Sequence, residues 1–263
     1  MKILFIGDVF GNVGRRVLAE QLRRMREEFA IDICIANGEN IAGGKGITYA
    51  LFKKMHKYGV DVVTGGNHSM ANKDALQAYN SDSTLLRPLN MPPGNPGIGK
   101  TLFELSDGRT LGVINLQGRT FFKETLDCPF RTGERAVEEL SEATKVIFVD
   151  FHAEATSEKL ALATYLDGRV SAVVGTHTHV QTADERILAK GTAYITDAGM
   201  TGPEDSIIGM KPKQVIQKFL LQTHTRFEPS QKGPMFNGVI VDVDEEQGNA
   251  RSISRLYSRV TFQ

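Results

Sequence analysis

Short apolar runs alternate with amphipathic segments along most of the chain, and this alternation restricts the fold more than any other feature of the sequence. Between the apolar runs, apolar residues recur at helical spacing, most clearly over residues 13–29 and Tyr49–Tyr58. Such alternation favours stacked βα units around a sheet over an all-β or all-α fold. The apolar runs, which we predict to be buried strands, are KILFI, IDICIA, VDVVTG, KVIFVD, VSAVVG and TAYIT.

The rest of the chain fits the same organisation. The Pro- and Gly-rich residues 87–99 predict a loop, and the two β-like runs after Pro234, about the polar EEQGN, predict a closing hairpin. At 263 residues, with no composition shift to mark a boundary, we expect residues 1–263 to form a single domain. Further helices are predicted over residues 73–79, 134–143, 158–166 and 213–222.

The charge balance argues against a long nucleic-acid surface. Lys plus Arg equals Asp plus Glu at 31 each, so no global field would hold a polyanion. The two cysteines have no CxxC spacing, which fits a reducing compartment. The start, MKILFIGDVF, is too short an apolar run for a signal peptide or a membrane span. We therefore expect a cytoplasmic protein without a membrane segment.

Almost every predicted strand ends in a short loop that carries Asp, Glu, Asn or His. Ligand crevices of open α/β sheets lie outside the carboxyl ends of the strands, so these loops are expected to converge. Two carboxylates, two carboxamides and four imidazoles in one place indicate a metal site. The polar residues are Asp8 after KILFI, Glu39 and Asn40 after IDICIAN, Asn67 and His68 after VDVVTGG, His152 after KVIFVDF, and His177 and His179 after VSAVVGT.

Each of these residues has a simpler explanation when it is considered alone. Asp8 could cap the first helix, and Asn40 and Asn67 could occupy turns that favour positive φ. His152 could be a hydrogen-bonded core histidine. The pair His177 and His179 is harder to explain in this way, because small neighbours leave room for a metal. The occurrence of all of them at successive strand ends favours metal binding over coincidence.

The donor types restrict the metals. No Cys accompanies the loops, so structural zinc is disfavoured, and the mixed set suits Mn, Fe, Zn or similar ions. Seven ligands exceed what one open catalytic metal uses. Two ions that share a bridging carboxylate account for the number better.

The ordered motifs resemble those of the calcineurin-like metallophosphoesterases, which usually contain DxH, GD, GNH, H and GHxH. The chain departs twice: Val9 and Phe10 follow Asp8 without a histidine, and Glu39 stands at the usual aspartate position. Both departures resemble the YmdB-like phosphodiesterases, in which GEN replaces GD. The segment AGMTGPEDSIIG, which begins at Ala198, also resembles a late loop of that family. The resemblance implies an α/β layered sandwich of central mixed β-sheets flanked by helices.

The resemblance also implies roles for individual residues. Glu39 would bridge two divalent or mixed-valence ions (Fe, Mn or Zn), and His68 would be the proton donor for a leaving group displaced by a metal-activated hydroxide. The implied substrates are cyclic nucleotides, chiefly 2′,3′-cyclic nucleotides with 3′,5′-cyclic AMP as a further candidate, and family analogy suggests a homo-oligomer. The other ligands would be Asp8, Asn40 and His179 for one metal, and Asn67, His152 and His177 for the other.

Three alternatives remain at this stage. The same fold could support a phosphomonoesterase, or a regulatory protein that binds a nucleotide or a protein partner and retains the metal site. A dinucleotide-binding protein is a weaker alternative: Gly7, Gly11 and Gly14 follow the first strand, but their register is wrong and Asp8 stands where a pyrophosphate must approach the backbone.

Overall fold

The computed structural model describes residues 1–262, which form strands and helices in the alternating order that the sequence predicts. The strands are β1 (Lys2–Ile6), β2 (Asp8–Val9), β3 (Ile33–Asn37), β4 (Val62–Thr64), β5 (Lys100–Glu104), β6 (Thr110–Gln117), β7 (Ile147–His152), β8 (Ala172–Thr176), β9 (Arg186–Ile187), β10 (Ala193–Ile195), β11 (Met200–Pro203), β12 (Pro234–Val243) and β13 (Ala250–Arg259). The helices are α1 (Gly11–Glu28), α2 (Tyr49–Tyr58), α3 (Ala75–Ser81), α4 (Pro129–Ser141), α5 (Thr156–Tyr165) and α6 (Pro212–Leu221).

The strands form two mixed sheets. The first has the order β2-β11-β12-β1-β3-β4, with β13 paired to β12, and the second has the order β5-β6-β7-β8-β10-β9. β1, β3 and β4 run parallel, as do β6, β7, β8 and β10, so their carboxyl ends lie at a common edge of each sheet. Each sheet therefore presents several strand ends, and the loops that follow them, at one edge.

The two sheets pack face to face, with helices on the outside. A shared apolar core joins them, and in it the rings of Phe5 on β1 and Phe148 on β7 stack at a centroid distance of 5.2 Å. A second core lies between the first sheet and α1 and α2, where it contains Val17, Leu22 and Phe52. A third packs α4 and α5 on the second sheet. The expected layered sandwich of mixed sheets flanked by helices is confirmed.

Most predicted elements are confirmed, and their boundaries differ by a few residues. Helix α4 begins at Pro129, five residues before the predicted start, because Pro is well suited to a first helical turn. The strand β5 had not been predicted, since its half-exposed sequence KTLFE lacks the apolar content of a core strand. The hairpin of β12 and β13 is confirmed, and β12 lies inside the first sheet, antiparallel to β1.

Within residues 1–262, none of the helices combines the length and the apolar character that crossing a membrane requires. Cys34 is buried in the core, as expected, and both cysteines are free. A cytoplasmic location and a homo-oligomeric state stay predictions.

Candidate metal centre

All eight polar residues that follow the predicted strands meet at one edge of the sandwich, but they come from two sheets. Asp8 lies on β2, and the loops after β3 and β4 supply Glu39, Asn40, Asn67 and His68 from the first sheet. The second sheet supplies the histidines of β7 and of the loop after β8. The centre therefore lies between the carboxyl edges of two packed sheets.

One group of donor atoms surrounds the Nε2 atom of His152. This atom lies 3.1 Å from Oε1 of Glu39, 3.0 Å from Oδ1 of Asn67 and 3.0 Å from Nδ1 of His177. One ligand atom each of Glu39, His152 and His177 lies within 4.8 Å of the others. Four donor atoms of the kinds that Mn, Fe and Zn accept thus face one point.

A second group surrounds the carboxamide of Asn40. Its Nδ2 atom lies 3.3 Å from Oδ1 of Asp8, 3.2 Å from Oε1 of Glu39 and 3.1 Å from Nε2 of His179. A half-turn of the carboxamide exchanges its nitrogen and oxygen, and the oxygen would face the same three acceptors if a cation lay among them. The Oε1 atom of Glu39 belongs to both groups.

The charges of the site fit a metal centre. Asp8 and Glu39 are fully buried, and neither forms an ion pair with Lys or Arg within residues 1–262. Buried carboxylates are normally paired or bound to metal. Burial raises the pKa of Asp8. Burial would also raise the pKa of Glu39, but the positive field and hydrogen bond of His152 lower it to about 2.

The imidazoles differ in their response to this environment. Burial is the largest single effect on the pKa of His152 and lowers it, but the charge and hydrogen bond of Glu39, with the charges of Asp8 and Asp150, together raise it to about 9. The pKa of His177 falls to about 3, because burial and the neighbouring His152 both oppose a positive charge. Metal ligation requires a neutral imidazole, so a bound cation would favour the deprotonated form of His152.

The backbone of the two loop histidines is strained. His177 has a φ of 102° and His179 a φ of 66°, in the left-handed region that non-glycine residues rarely adopt. Asn40 and Asn67 do lie in turns, but neither has a positive φ, and Asp8 is not the cap of α1, which is Phe10. Strained residues cluster at functional sites because the surrounding structure holds them there.

A buried carboxylate behind the site had not been predicted from the sequence. Asp150 accepts hydrogen bonds from Asn37 and Thr64 of the first sheet and from Thr176 of the second. The Thr176 hydroxyl also lies 3.0 Å from Nδ1 of His152. This contact orients the imidazole so that Nε2 faces the donor group. The Asp in the middle of the apolar strand β7 was the available signal, since a core strand seldom contains one.

His68 lies beside both groups but outside them. Its backbone N–H donates to Oε2 of Glu39 at 3.0 Å, and its Nδ1 lies 3.3 Å from Nδ2 of Asn67. Burial lowers the pKa of His68, while Glu39 and, more weakly, Glu124 raise it. The half-buried ring is therefore available to a bound molecule and is not one of the converging donors.

Two further polar residues have structural roles. His56 contacts the carbonyl of Val60 and the hydroxyl of Thr84. Arg87 donates to the carbonyls of Pro88, Asn95 and Pro96 and holds the 87–99 loop. A surface cavity of about 430 Å³ borders the site at His179, between Ile208 and the strand β13.

The fold, with two packed sheets, helices outside and polar residues at the strand ends of one edge, is that of the metallophosphoesterases. Residues 4–256 match the family described as YmdB-like protein, and the chain belongs to that family.

Individual relatives agree with this assignment over nearly the whole chain. The 2′,3′-cyclic-nucleotide 2′-phosphodiesterase of Bacillus subtilis is 47% identical over 256 residues, which cover 97% of this chain and 96% of that protein. A hypothetical protein of Thermus thermophilus superposes with a TM-score of 0.92 at 42% identity, over 98% of this chain and 99% of the other. A structure described as a novel phosphatase from Mycoplasma pneumoniae has a TM-score of 0.92 at 35% identity, over 98% and 93%.

Proposed function

We propose that this chain is a two-metal phosphodiesterase that hydrolyses cyclic nucleotides. The observation that carries the proposal is the position of Glu39 Oε1, which lies 3.1 Å from His152 Nε2 in one donor group and 3.2 Å from Asn40 Nδ2 in the other. A carboxylate shared between two adjacent groups is the arrangement that two-metal hydrolases use.

The two donor groups would supply different proportions of oxygen and nitrogen ligands. Asp8, Asn40 and His179 would hold one ion; Asn67, His152 and His177 would hold the other; and Glu39 would bridge them. Oxygen and imidazole donors without thiolate suit Fe, Mn or Zn. When bound, two such ions lower the pKa of a shared water to make a nucleophile near neutral pH, and they stabilise the charge on the phosphoryl oxygens.

The protein contributes the charge balance and the proton. Two carboxylates against two divalent ions leave the site positive, which attracts an anionic phosphodiester. His68 stands beside the shared carboxylate and would protonate the leaving alkoxide. Its lowered pKa makes the imidazolium a stronger acid, while the protonated fraction at neutral pH becomes smaller.

The substrate class rests on the relatives. The 47% identical protein of Bacillus subtilis is named for 2′,3′-cyclic nucleotides, so these are the first substrates to test, followed by 3′,5′-cyclic AMP. A phosphomonoesterase is the second candidate, because a relative in Mycoplasma pneumoniae that is 38% identical is described as a putative phosphatase/phosphodiesterase.

The test is to load the metal-depleted protein with Mn, Fe or Zn and to screen phosphomonoesters, linear diesters, 2′,3′-cyclic nucleotides and 3′,5′-cyclic AMP. We expect turnover of 2′,3′-cyclic nucleotides that chelation abolishes and metal restores. Turnover of phosphomonoesters alone would contradict the phosphodiesterase proposal. Nucleotide binding without any turnover would instead favour a regulatory protein that retains the site.

A further inference from the structure

A turn between β6 and α4 adjoins the metal centre. We name residues 118–124 the aromatic turn. The backbone N–H of Gly118 donates to the carbonyl of His152 at 2.9 Å, and the ring of Phe122 lies 4.9 Å from that of His177 and 6.5 Å from that of His152. The turn thus lies directly against two of the candidate metal ligands.

The aromatic turn is held in one conformation by α5. The carboxylate of Glu158 accepts the backbone N–H groups of Arg119 at 2.9 Å and Thr120 at 3.1 Å. A Cβ atom at position 118 would lie 2.6 Å from the same carboxylate, so Gly118 permits the close approach. The turn is therefore fixed relative to the site before any substrate binds.

Phe121, at the tip of this turn, combines two unfavourable features. Its φ is 67°, in the left-handed region, and 83% of its surface is exposed. A strained backbone at a bulky residue destabilises the fold and persists at sites that clamp a ligand. Folding does not bury the ring, so its packing does not offset that strain.

We propose that Phe121 stacks on the nucleobase of the substrate while Phe122 forms the adjoining wall beside His177; this inference rests on the proposed function. Aromatic rings bind bases through their flat faces, and such stacking tolerates every base because each base has a π-face. Recognition of this kind agrees with a sequence that contains no base-reading motif. Phe121 would therefore favour nucleotides over other cyclic phosphodiesters without distinguishing purine from pyrimidine strongly.

The experiment compares two cyclic diesters that differ in the base: 2′,3′-cyclic AMP and glycerol 1,2-cyclic phosphate, which has none. With the Mn-loaded enzyme, Phe121→Ala should raise KM for 2′,3′-cyclic AMP by roughly 5- to 150-fold, the range that loss of one stacked base predicts. KM for the base-free substrate should not change. Phe121→Trp should retain the nucleotide KM, and Phe219→Ala, which removes an exposed ring on α6, should change neither.

The outcomes separate this inference from the proposed function. If the unaltered enzyme hydrolyses neither cyclic diester, the proposed function fails. If it hydrolyses both and Phe121→Ala changes both KM values equally or neither, only the stacking role is overturned. Thermal unfolding of Phe121→Ala should match that of the unaltered chain, because the ring is exposed; an altered metal content would show that the variant acts through the ligands instead.

Discussion

Lys159 and Asp197 form an ion pair in which both side chains are fully buried, with 2.8 Å between Nζ and Oδ2. The same Oδ2 atom accepts the backbone N–H and the hydroxyl of Thr178, and Oδ1 accepts the N–H of Gly199. Thr178 stands between the two strained histidines of the candidate metal centre. The ion pair therefore fixes the loop that carries His177 and His179.

Removal of one member of this pair should lower the stability of the fold and weaken metal retention. Lys159→Met leaves the Asp197 carboxylate buried without its cation, which should lower the free energy of unfolding by about 3–5 kcal/mol. Urea unfolding and metal analysis measure the two effects. The double variant Lys159→Met, Asp197→Asn should recover part of the stability, because no uncompensated charge remains. Unchanged stability and metal content in Lys159→Met would contradict this role.

Glu39 should matter for both metals, whereas each of its neighbours should matter for one. Glu39→Gln removes the charge shared by the two donor groups and is expected to leave less than one metal per chain after dialysis. Asn67→Ala, which alters only the His152 group, should retain one. Glu154→Gln is the control and should not change the metal content, since this exposed carboxylate contacts His177 but belongs to neither donor group. Equal metal content in Glu39→Gln and Asn67→Ala would argue against a bridge.

His68→Ala should retain metal and lose turnover. A positioned general acid contributes roughly 10²- to 10⁴-fold, so kcat for a cyclic nucleotide should fall within that range. A p-nitrophenyl diester, whose leaving group needs little protonation, should lose much less. Metal loss that accompanies the loss of activity would identify His68 as a ligand, which is opposite to its placement outside the two donor groups.

Thr176 should tune the metal affinity through His152. Thr176→Val removes the hydroxyl between Asp150 and Nδ1 of His152, and loss of such a supporting contact typically weakens metal binding by about 10- to 100-fold. Thr64→Val is the matched control, because its hydroxyl contacts the same carboxylate but not the histidine. Competition with a chelator measures the affinities, and equal weakening by both variants would assign the effect to Asp150 alone.

Acid should weaken a cluster around Arg109, which binds Asp32 at 2.6 Å and Glu245 at 3.0 Å and so joins the two sheets. Burial raises the pKa of Asp32, but Arg109 and the N–H of Lys2 have the greater effect and lower it. A folded-state pKa below the unfolded value stabilises the fold above the unfolded pKa, and this contribution is lost as pH falls through the folded pKa.

The free energy of unfolding should therefore decline below about pH 4, with at most about 1 kcal/mol from Asp32 because the pair is partly exposed. Asp32→Asn should make that decline shallower in urea unfolding at several pH values. Asp107→Asn, at the exposed partner of the same guanidinium, should change it less. If the free energy of unfolding declines equally steeply in Asp32→Asn and in the unaltered chain, Asp32 does not contribute to the acid sensitivity.

Local patterns were sufficient to predict most of the core strands and which polar residues would lie together. KILFI, IDICIA and VSAVVG are apolar and short enough to be core strands, and a polar residue after each must lie at a carboxyl edge. The placement of His177 near both Asp8 and Glu39 follows from that geometry, and the observed distances agree with it. Helix α2 was predicted at its observed bounds because its apolar spacing and terminal Gly59 are both local signals.

The side-chain contacts that depend on how the two sheets pack were determined only by the tertiary structure. The sequence does not show that Glu39 presents one oxygen to both donor groups, that Lys159 pairs with Asp197, or that Glu158 holds the turn of Phe121. Apart from the contact between the neighbours Glu39 and Asn40, these contacts join residues far apart in the chain, so no periodicity encodes them. The left-handed φ of His177 has the same origin, because surrounding contacts, and not the preference of histidine, keep its backbone there.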